Sequence, residues 1–242
     1  MAASSMGPRT RVLVATVATT VLVTVAAYAL PVDHAATGVG FVFLAAVYLL
    51  VLRGDTSFIR AHGLSLGGIL EPRTIRPKEV LRAALSACAW AFGIAAVVFP
   101  LFWVWFVLWW HPAKTFSLVY PGSVFDEVLG QLVVIALPEE AFYRGYLQSS
   151  LDRLWGSKPG ALSRSFKLFG AQIGWSIPVT SAVFALGHLM TEPNPQRLAV
   201  FFPSLLFGWL RNKTGGIGAA ILLHAMANIF SSTLARGYGL FH

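Results

Sequence analysis

The sequence predicts an all-α protein, a polytopic transmembrane helical bundle of about seven spans, with six to eight the range it allows. Three observations predict it. The 242-residue chain is 56% hydrophobic and only 12% charged, about half the charge of an ordinary soluble domain. Its apolar residues fall in charge-free runs near the ~20 residues that a spanning helix needs. Its basic residues alternate from one inter-span segment to the next, as they do when cytoplasmic loops retain Lys and Arg. Disordered, collagen-like and nucleic-acid-binding chains are excluded, because they need polar or low-complexity sequence. The net charge of +8 is therefore a topology signal, and no nucleic-acid partner is expected.

The first span runs from Val12 to Val32 and the second from His34 to Leu52. Arg9 and Arg11, followed by an apolar run and Ala27-Tyr28-Ala29, also fit a signal peptide. The run of about 19 residues is longer than a usual signal core, which favours an uncleaved span. A Gly- and Pro-containing connector follows, so residues 1–82 are expected to form two spans plus a cytoplasmic connector. Residues 83–242 form the expected membrane-embedded core. Its third span, Ala83–Ala113, is long and contains Pro100. The fourth, Val128–Leu151, carries Glu139, Glu140 and Arg144. The fifth is Leu168–Thr191, the sixth Leu198–Leu210, and the seventh Thr214–Ala235. Fourteen of the 18 basic residues fall on alternate inter-span segments and three on the others, with Arg144 inside a span. This places the N-terminus in the cytoplasm and the C-terminus outside. The expected location is a prokaryotic cell (inner) membrane. Trp109, Trp110, Trp155 and Trp209 close spans, where aromatic belts form. The single Cys88 lies in an apolar run, which leaves it a packing role and forbids an internal disulfide or a Cys-based zinc site.

Ionisable side chains are costly in hydrocarbon, at roughly 2.5–3.5 kcal/mol each on insertion scales. Three groups carry that cost. The first is Pro138-Glu139-Glu140-Ala141-Phe142-Tyr143-Arg144. Pro138 suits the first turn of a helix, which would set both carboxylates near a helix N-terminus. Glu140 and Arg144 are four apart and can pair. Glu139 points about 100° away and stays free to act as a base, and its pocket should favour proton exchange near neutral pH. The second group is Phe184 and His188, on one helix face beside the small Gly187. The third is His224 and Asn228, again four apart, with Ala225 and Ala227 making room. Each group alone has a bland reading as helix-packing polarity. Two carboxylates, two histidines, an amide and an arginine on three spans point instead to one convergent pocket.

Glu-Glu-x-x-x-Arg, Phe-x-x-x-His and His-x-x-x-Asn, in this order on hydrophobic helices, resemble the CPBP family. These are the CAAX-protease and bacteriocin-processing (Abi) intramembrane endopeptidases related to the Ras-converting enzyme. The resemblance runs from about Leu129 to the end of the chain. It implies a glutamic-type protease in which Glu139 activates water with help from His188. His224 and Asn228 would then stabilise the oxyanion, with Glu140 and Arg144 supporting and Phe184 beside them. The departure from the pattern is at the C-terminus, where eukaryotic-type relatives carry a further span.

The expected function is hydrolysis of a peptide bond near the C-terminus of a lipidated or membrane-anchored protein. The partners are membrane lipid and a membrane-tethered protein or peptide. No cofactor is required. Two alternatives stay open at the sequence level. One is a zinc protease using Glu139, His188 and His224 as a His₂Glu set, although no His-Glu-x-x-His motif is present. The other is a non-catalytic membrane protein of the immunity or chaperone kind. A proton-relaying transporter is disfavoured, since there is no inverted repeat. On the span model the pocket lies from mid-membrane toward the outer face.

Overall fold

The computed structural model describes residues 6–156 and 161–240, and it is mostly helical. Helix α1 spans Pro8–Ala29 and starts with its proline in the first turn, where the missing N–H is no loss. Thr16, Thr20 and Thr24 return their hydroxyls to the carbonyls four residues back. A polar side chain is thereby satisfied inside an apolar helix. Helix α2, Val32–Leu52, packs against α1 and against the helix that carries the carboxylates. Helix α3, Thr56–Ala61, is capped by Asp55, whose side chain accepts from the Phe58 N–H. Helix α4 is Pro77–Trp110. Helix α5 is a continuous run over residues 124–156. A two-stranded antiparallel hairpin, β1 Ser165–Leu168 and β2 Ala171–Gly174, precedes α6, Ser176–Thr191. A 3₁₀ turn at Pro195–Val200 leads into α7, Phe201–Thr214, and α8 is Gly218–Gly237.

Four of the helices are long and apolar enough to cross a membrane: α1, α2, α4 and α8. Their outer faces carry exposed Leu13, Val17, Phe41, Phe92, Leu101 and Leu108, which makes sense against lipid. The expected runs at Val12–Val32, His34–Leu52, Ala83–Ala113 and Thr214–Ala235 each coincide with one of them to within a few residues.

Two expectations need correction. The apolar run from Leu168 does not enter a helix until Ser176. Leu168 and Ala171 pair across a turn at Phe169 and Gly170, both with positive φ. A single helix cannot absorb two consecutive left-handed residues. The hairpin is fastened to α7 through its carbonyls: Trp209 Nε1, Asn212 Nδ2 and Lys213 Nζ donate to Leu168, Gln172 and Phe169.

The second correction concerns Pro138, which stands inside α5 rather than at a helix start. The preceding turns, Gly130–Ala136, are π-helical, and the Leu137 N–H reaches the Leu132 carbonyl. A wider turn relieves the clash that a proline ring makes with the carbonyl four residues earlier. That carbonyl belongs to Val134, and it lies against Gly40 of α2. A methyl group at Gly40 would stand 2.6 Å from it, so only glycine lets α2 approach here. The two carboxylates therefore sit mid-helix, without the help of a helix N-terminus.

The connector between α3 and α4 folds around Glu71. Arg60 holds that carboxylate through two hydrogen bonds of 2.7 and 2.9 Å, Ser65 donates at 2.5 Å, and Arg73 closes the ring. The Arg60 hydrogen bonds lead the causes that hold the Glu71 carboxyl at about 2. Next to it His62 is fully buried. Its Nδ1 donates to the Phe58 carbonyl at 2.7 Å, and its Nε2 accepts from Arg153. Burial depresses the imidazole to about 4. Both groups bind protons less readily folded than unfolded, so acid favours the unfolded chain. Stability is expected to fall first between pH 6.5 and about 4, through His62, and then from 4.5 toward 2, through Glu71. Thermal unfolding in detergent across pH 7 to 2 checks this, and His62→Asn should remove the first descent while leaving the second.

Candidate active site

Helix α5 presents Glu139 and Glu140 on adjacent positions, and they meet different partners. Glu140 is fully buried beside Arg144. Its Oε1 accepts from Arg144 Nη1 at 3.0 Å and from His224 Nδ1, across from α8, at 2.9 Å. Arg144 is also fully buried, and its Nη2 donates to the Oγ and the carbonyl of Ser204 on α7, at 2.6 and 3.1 Å. A charged pair buried this deeply is tolerable only when its remaining donors and acceptors find partners. Ser204 and His224 supply part of this, while Glu140 Oε2 and Arg144 Nε are buried without a hydrogen-bond partner among the described residues. The pairing expected from the four-residue spacing is present.

Glu139 has no such support. Its Oε2 is buried without a hydrogen-bond partner among the described residues. Two imidazole nitrogens face that oxygen, His188 Nε2 and His224 Nε2, each 3.8 Å away. Both gaps are too long for a direct hydrogen bond. The His188 ring is fixed from behind, because its Nδ1 donates to the Phe184 carbonyl at 3.0 Å. In the neutral ring this leaves Nε2 as an acceptor, aimed at the same space as the Glu139 oxygen.

Aromatic rings build the walls. Phe184 stands edge-on to Tyr143 at 5.0 Å and lies 4.4 Å from the His188 ring. The Arg144 guanidinium lies over Phe184 at 4.6 Å, which adds cation–π attraction in a dry setting. Phe207 of α7 stacks on His224 at 4.9 Å. Gly187 lets α6 close on α5, since a methyl there would be 2.7 Å from the Tyr143 hydroxyl. A pocket of about 80 Å³ opens beside Glu139, lined by Val23, Val39, Phe43, Tyr143, His188, Thr191 and Arg197.

The structure thus brings together Glu139, Glu140, Arg144, Phe184, His188 and His224. Asn228 lies one turn beyond His224, and its Nδ2 donates to Gln131 Oε1 at 2.8 Å rather than to a histidine. Sequence reasoning missed Ser204, Phe207 and Gln131. Ser204 and Phe207 belong to a helix without a motif, and only the single buried hydroxyl in an apolar run hinted at the first. Among the described residues no three His, Cys, Asp or Glu side chains are grouped as a metal ion would require.

Residues 121–230 match the family model described as Rce1-like, type II CAAX prenyl endopeptidase. Every residue just placed around the carboxylates lies inside that segment, whereas Val23, Val39 and Phe43 lie outside it. The chain matches no curated protein and no solved structure.

Proposed function

We propose that this chain, whose residues 121–230 match the Rce1-like CAAX prenyl endopeptidase family model, is an intramembrane peptidase with a glutamic mechanism. The observation that carries the reading is the unpartnered Glu139 Oε2 facing two imidazoles at 3.8 Å. A water between Glu139 and His188 would give its proton to the carboxylate while attacking the peptide carbonyl. Glu139 would then return that proton to the leaving amine as the C–N bond breaks, while His188 Nε2 accepts a hydrogen bond from the attacking water. Carrying both protons, His224 would give Nδ1–H to Glu140 and Nε2–H to the developing oxyanion. Asn228 has a second amide hydrogen for the same oxygen, with Gln131 holding the first. Glu140 and Arg144 orient His224 and stay out of the bond-making.

Seven apolar helical segments, α1, α2 and α4 to α8, fit seven crossings, with α5 to α7 sheltered by the longer helices. With the N-terminus cytoplasmic, the pocket-lining Val23 and Val39 fall in the outer halves of α1 and α2, Thr191 at the outer end of α6 and Arg197 just beyond it. Arg60, Arg153, Arg211 and Lys213 gather at the opposite end, consistent with the retention of basic residues inside. The substrate is then the C-terminal region of a lipidated or membrane-anchored protein reached from outside, in a prokaryotic cell membrane.

One comparison tests both parts. Membrane proteomes of cells with the wild-type protein and with Glu139→Ala should differ by one unprocessed, membrane-tethered protein exposed on the outer face. No difference would refute proteolysis as the function. Accumulation of a prenylated protein on the cytoplasmic face would refute the outer opening. Activity lost on chelation and restored by zinc would replace the glutamic mechanism with a metal one.

A further inference from the structure

Helices α6 and α7 are short for membrane crossings. Their 16 and 14 residues rise roughly 24 and 21 Å, short of a hydrocarbon core about 30 Å thick. The hairpin β1–β2 continues α6 at the end where α7 finishes, and Trp209, Asn212 and Lys213 of α7 donate to its carbonyls. With the N-terminus cytoplasmic, that end faces the cytoplasm. The hairpin is amphipathic. Side chains alternate along a strand, and the register puts the Phe166–Ile173 and Leu168–Ala171 pairs on one face. The Ser165–Gly174 and Lys167–Gln172 pairs occupy the other. Ala171 is buried, but Phe166 and Leu168 stay exposed, so the protein covers only part of the apolar face.

The tip carries the least protected ring. Phe169 holds φ at +49°, a left-handed conformation that a β-carbon disfavours, and it is 82% exposed. Packing within the protein therefore returns almost nothing for a strained aromatic residue. Trp175, just before α6, is exposed as well. The sequence around these rings is basic: residues 157–175 contain three Lys or Arg and no Asp or Glu. An apolar, basic surface complements anionic headgroups lying over hydrocarbon. Open sheet edges are not found within the hydrocarbon itself. Here three carbonyls take their donors from α7, which suits a backbone at headgroup level with only side chains reaching deeper.

We propose that the hairpin is a lipid-docking element: Phe166, Leu168 and Phe169 enter the acyl region of the cytoplasmic leaflet, and Arg164 and Lys167 bind its anionic headgroups. The stem of Lys167 is long enough to carry its ammonium to that layer from the polar face. An isolated two-stranded hairpin is only marginally stable, and this one is held by α7 on one side and by lipid on the other. It anchors the inner ends of α6 and α7 in the leaflet that these helices are too short to fill. Docking of this kind is independent of peptide hydrolysis.

The test uses the full-length protein with its single cysteine removed by Cys88→Ser and a new one introduced by Phe169→Cys or, on the polar face, by Gln172→Cys. Each is labelled with the fluorophore NBD in nanodiscs of three parts phosphatidylcholine to one part phosphatidylglycerol, and its unfolding temperature shows that it is folded. At position 169 the label should lose about half its emission to phospholipid spin-labelled at the fifth acyl carbon, matching an apolar face ~5–10 Å deep. Aqueous iodide should leave it unquenched. At position 172 iodide should quench and the spin label should not. Omitting phosphatidylglycerol should reduce the lipid quench at position 169, and Arg164→Gln/Lys167→Gln should abolish that dependence. In the unlabelled wild type, the amides of residues 165–174 should exchange hydrogen more slowly with phosphatidylglycerol present than without it. Quenching at position 169 by iodide and not by lipid would overturn the proposal. Shielding from both quenchers would put a second copy or another protein on the hairpin and overturn it as well. So would a lipid quench and amide exchange that are both indifferent to phosphatidylglycerol.

Discussion

Purified Glu139→Gln protein should fold as the wild type does and cleave about 10²–10⁴-fold more slowly, the range that a positioned general base supplies. The substitution keeps the shape of the side chain and removes its basicity. Glu139 makes no hydrogen bond through Oε2, so little packing or polar structure depends on it. The expected pattern is a large loss in kcat with little change in KM, because the lost interaction belongs to the transition state. A rate within tenfold of wild type would remove Glu139 from the role of base. Thermal unfolding of the same preparation serves as the control.

Arg144→Met should have the opposite signature, a loss of about 3–5 kcal/mol in stability, the usual effect of removing one partner of a buried ion pair. Arg144 is fully buried between Glu140 and Ser204. Without it the Glu140 carboxylate keeps only the His224 contact at 2.9 Å. The double variant Glu140→Met/Arg144→Met contains no unpaired charge and should be less destabilised than Arg144→Met alone. It should still be slow, since nothing then holds His224. Denaturant titration in mixed micelles measures the first effect and single-turnover cleavage the second. A double variant as unstable as the single would show that packing, not charge, fixes this region.

The different signatures of Glu139 and Glu140 were legible in the sequence. A four-residue spacing assigned Arg144 to Glu140 and left Glu139 free, and the structure has the same division. The convergence of Phe184, His188 and His224 was legible as well, because polar groups at membrane depth have few bland explanations. Other features left weaker marks. Pro138 read as a helix start because local rules do not reveal a π-turn that accommodates a proline mid-helix. The hairpin at Ser165–Gly174 was hidden in an apolar stretch whose hydropathy is the same for strand and helix. Asn228 shares a helix face with His224, but its hydrogen bond goes to Gln131, 97 positions away in the chain. Val23, Val39 and Phe43 could not be picked out as a pocket wall, since any valine in any span looks alike. Only tertiary packing distinguishes a residue against lipid from one against substrate.

That wall comes from α1 and α2, and the reactive groups come from α5, α6 and α8. The two sets lie on stretches of chain that can diverge separately. On the proposed function, substitutions along the first two helices would change which substrates are accepted without disturbing a carboxylate or an imidazole. A lineage carrying this fold would then acquire new substrates by drift in sequence that carries no motif, with the proposed hydrolytic groups unchanged.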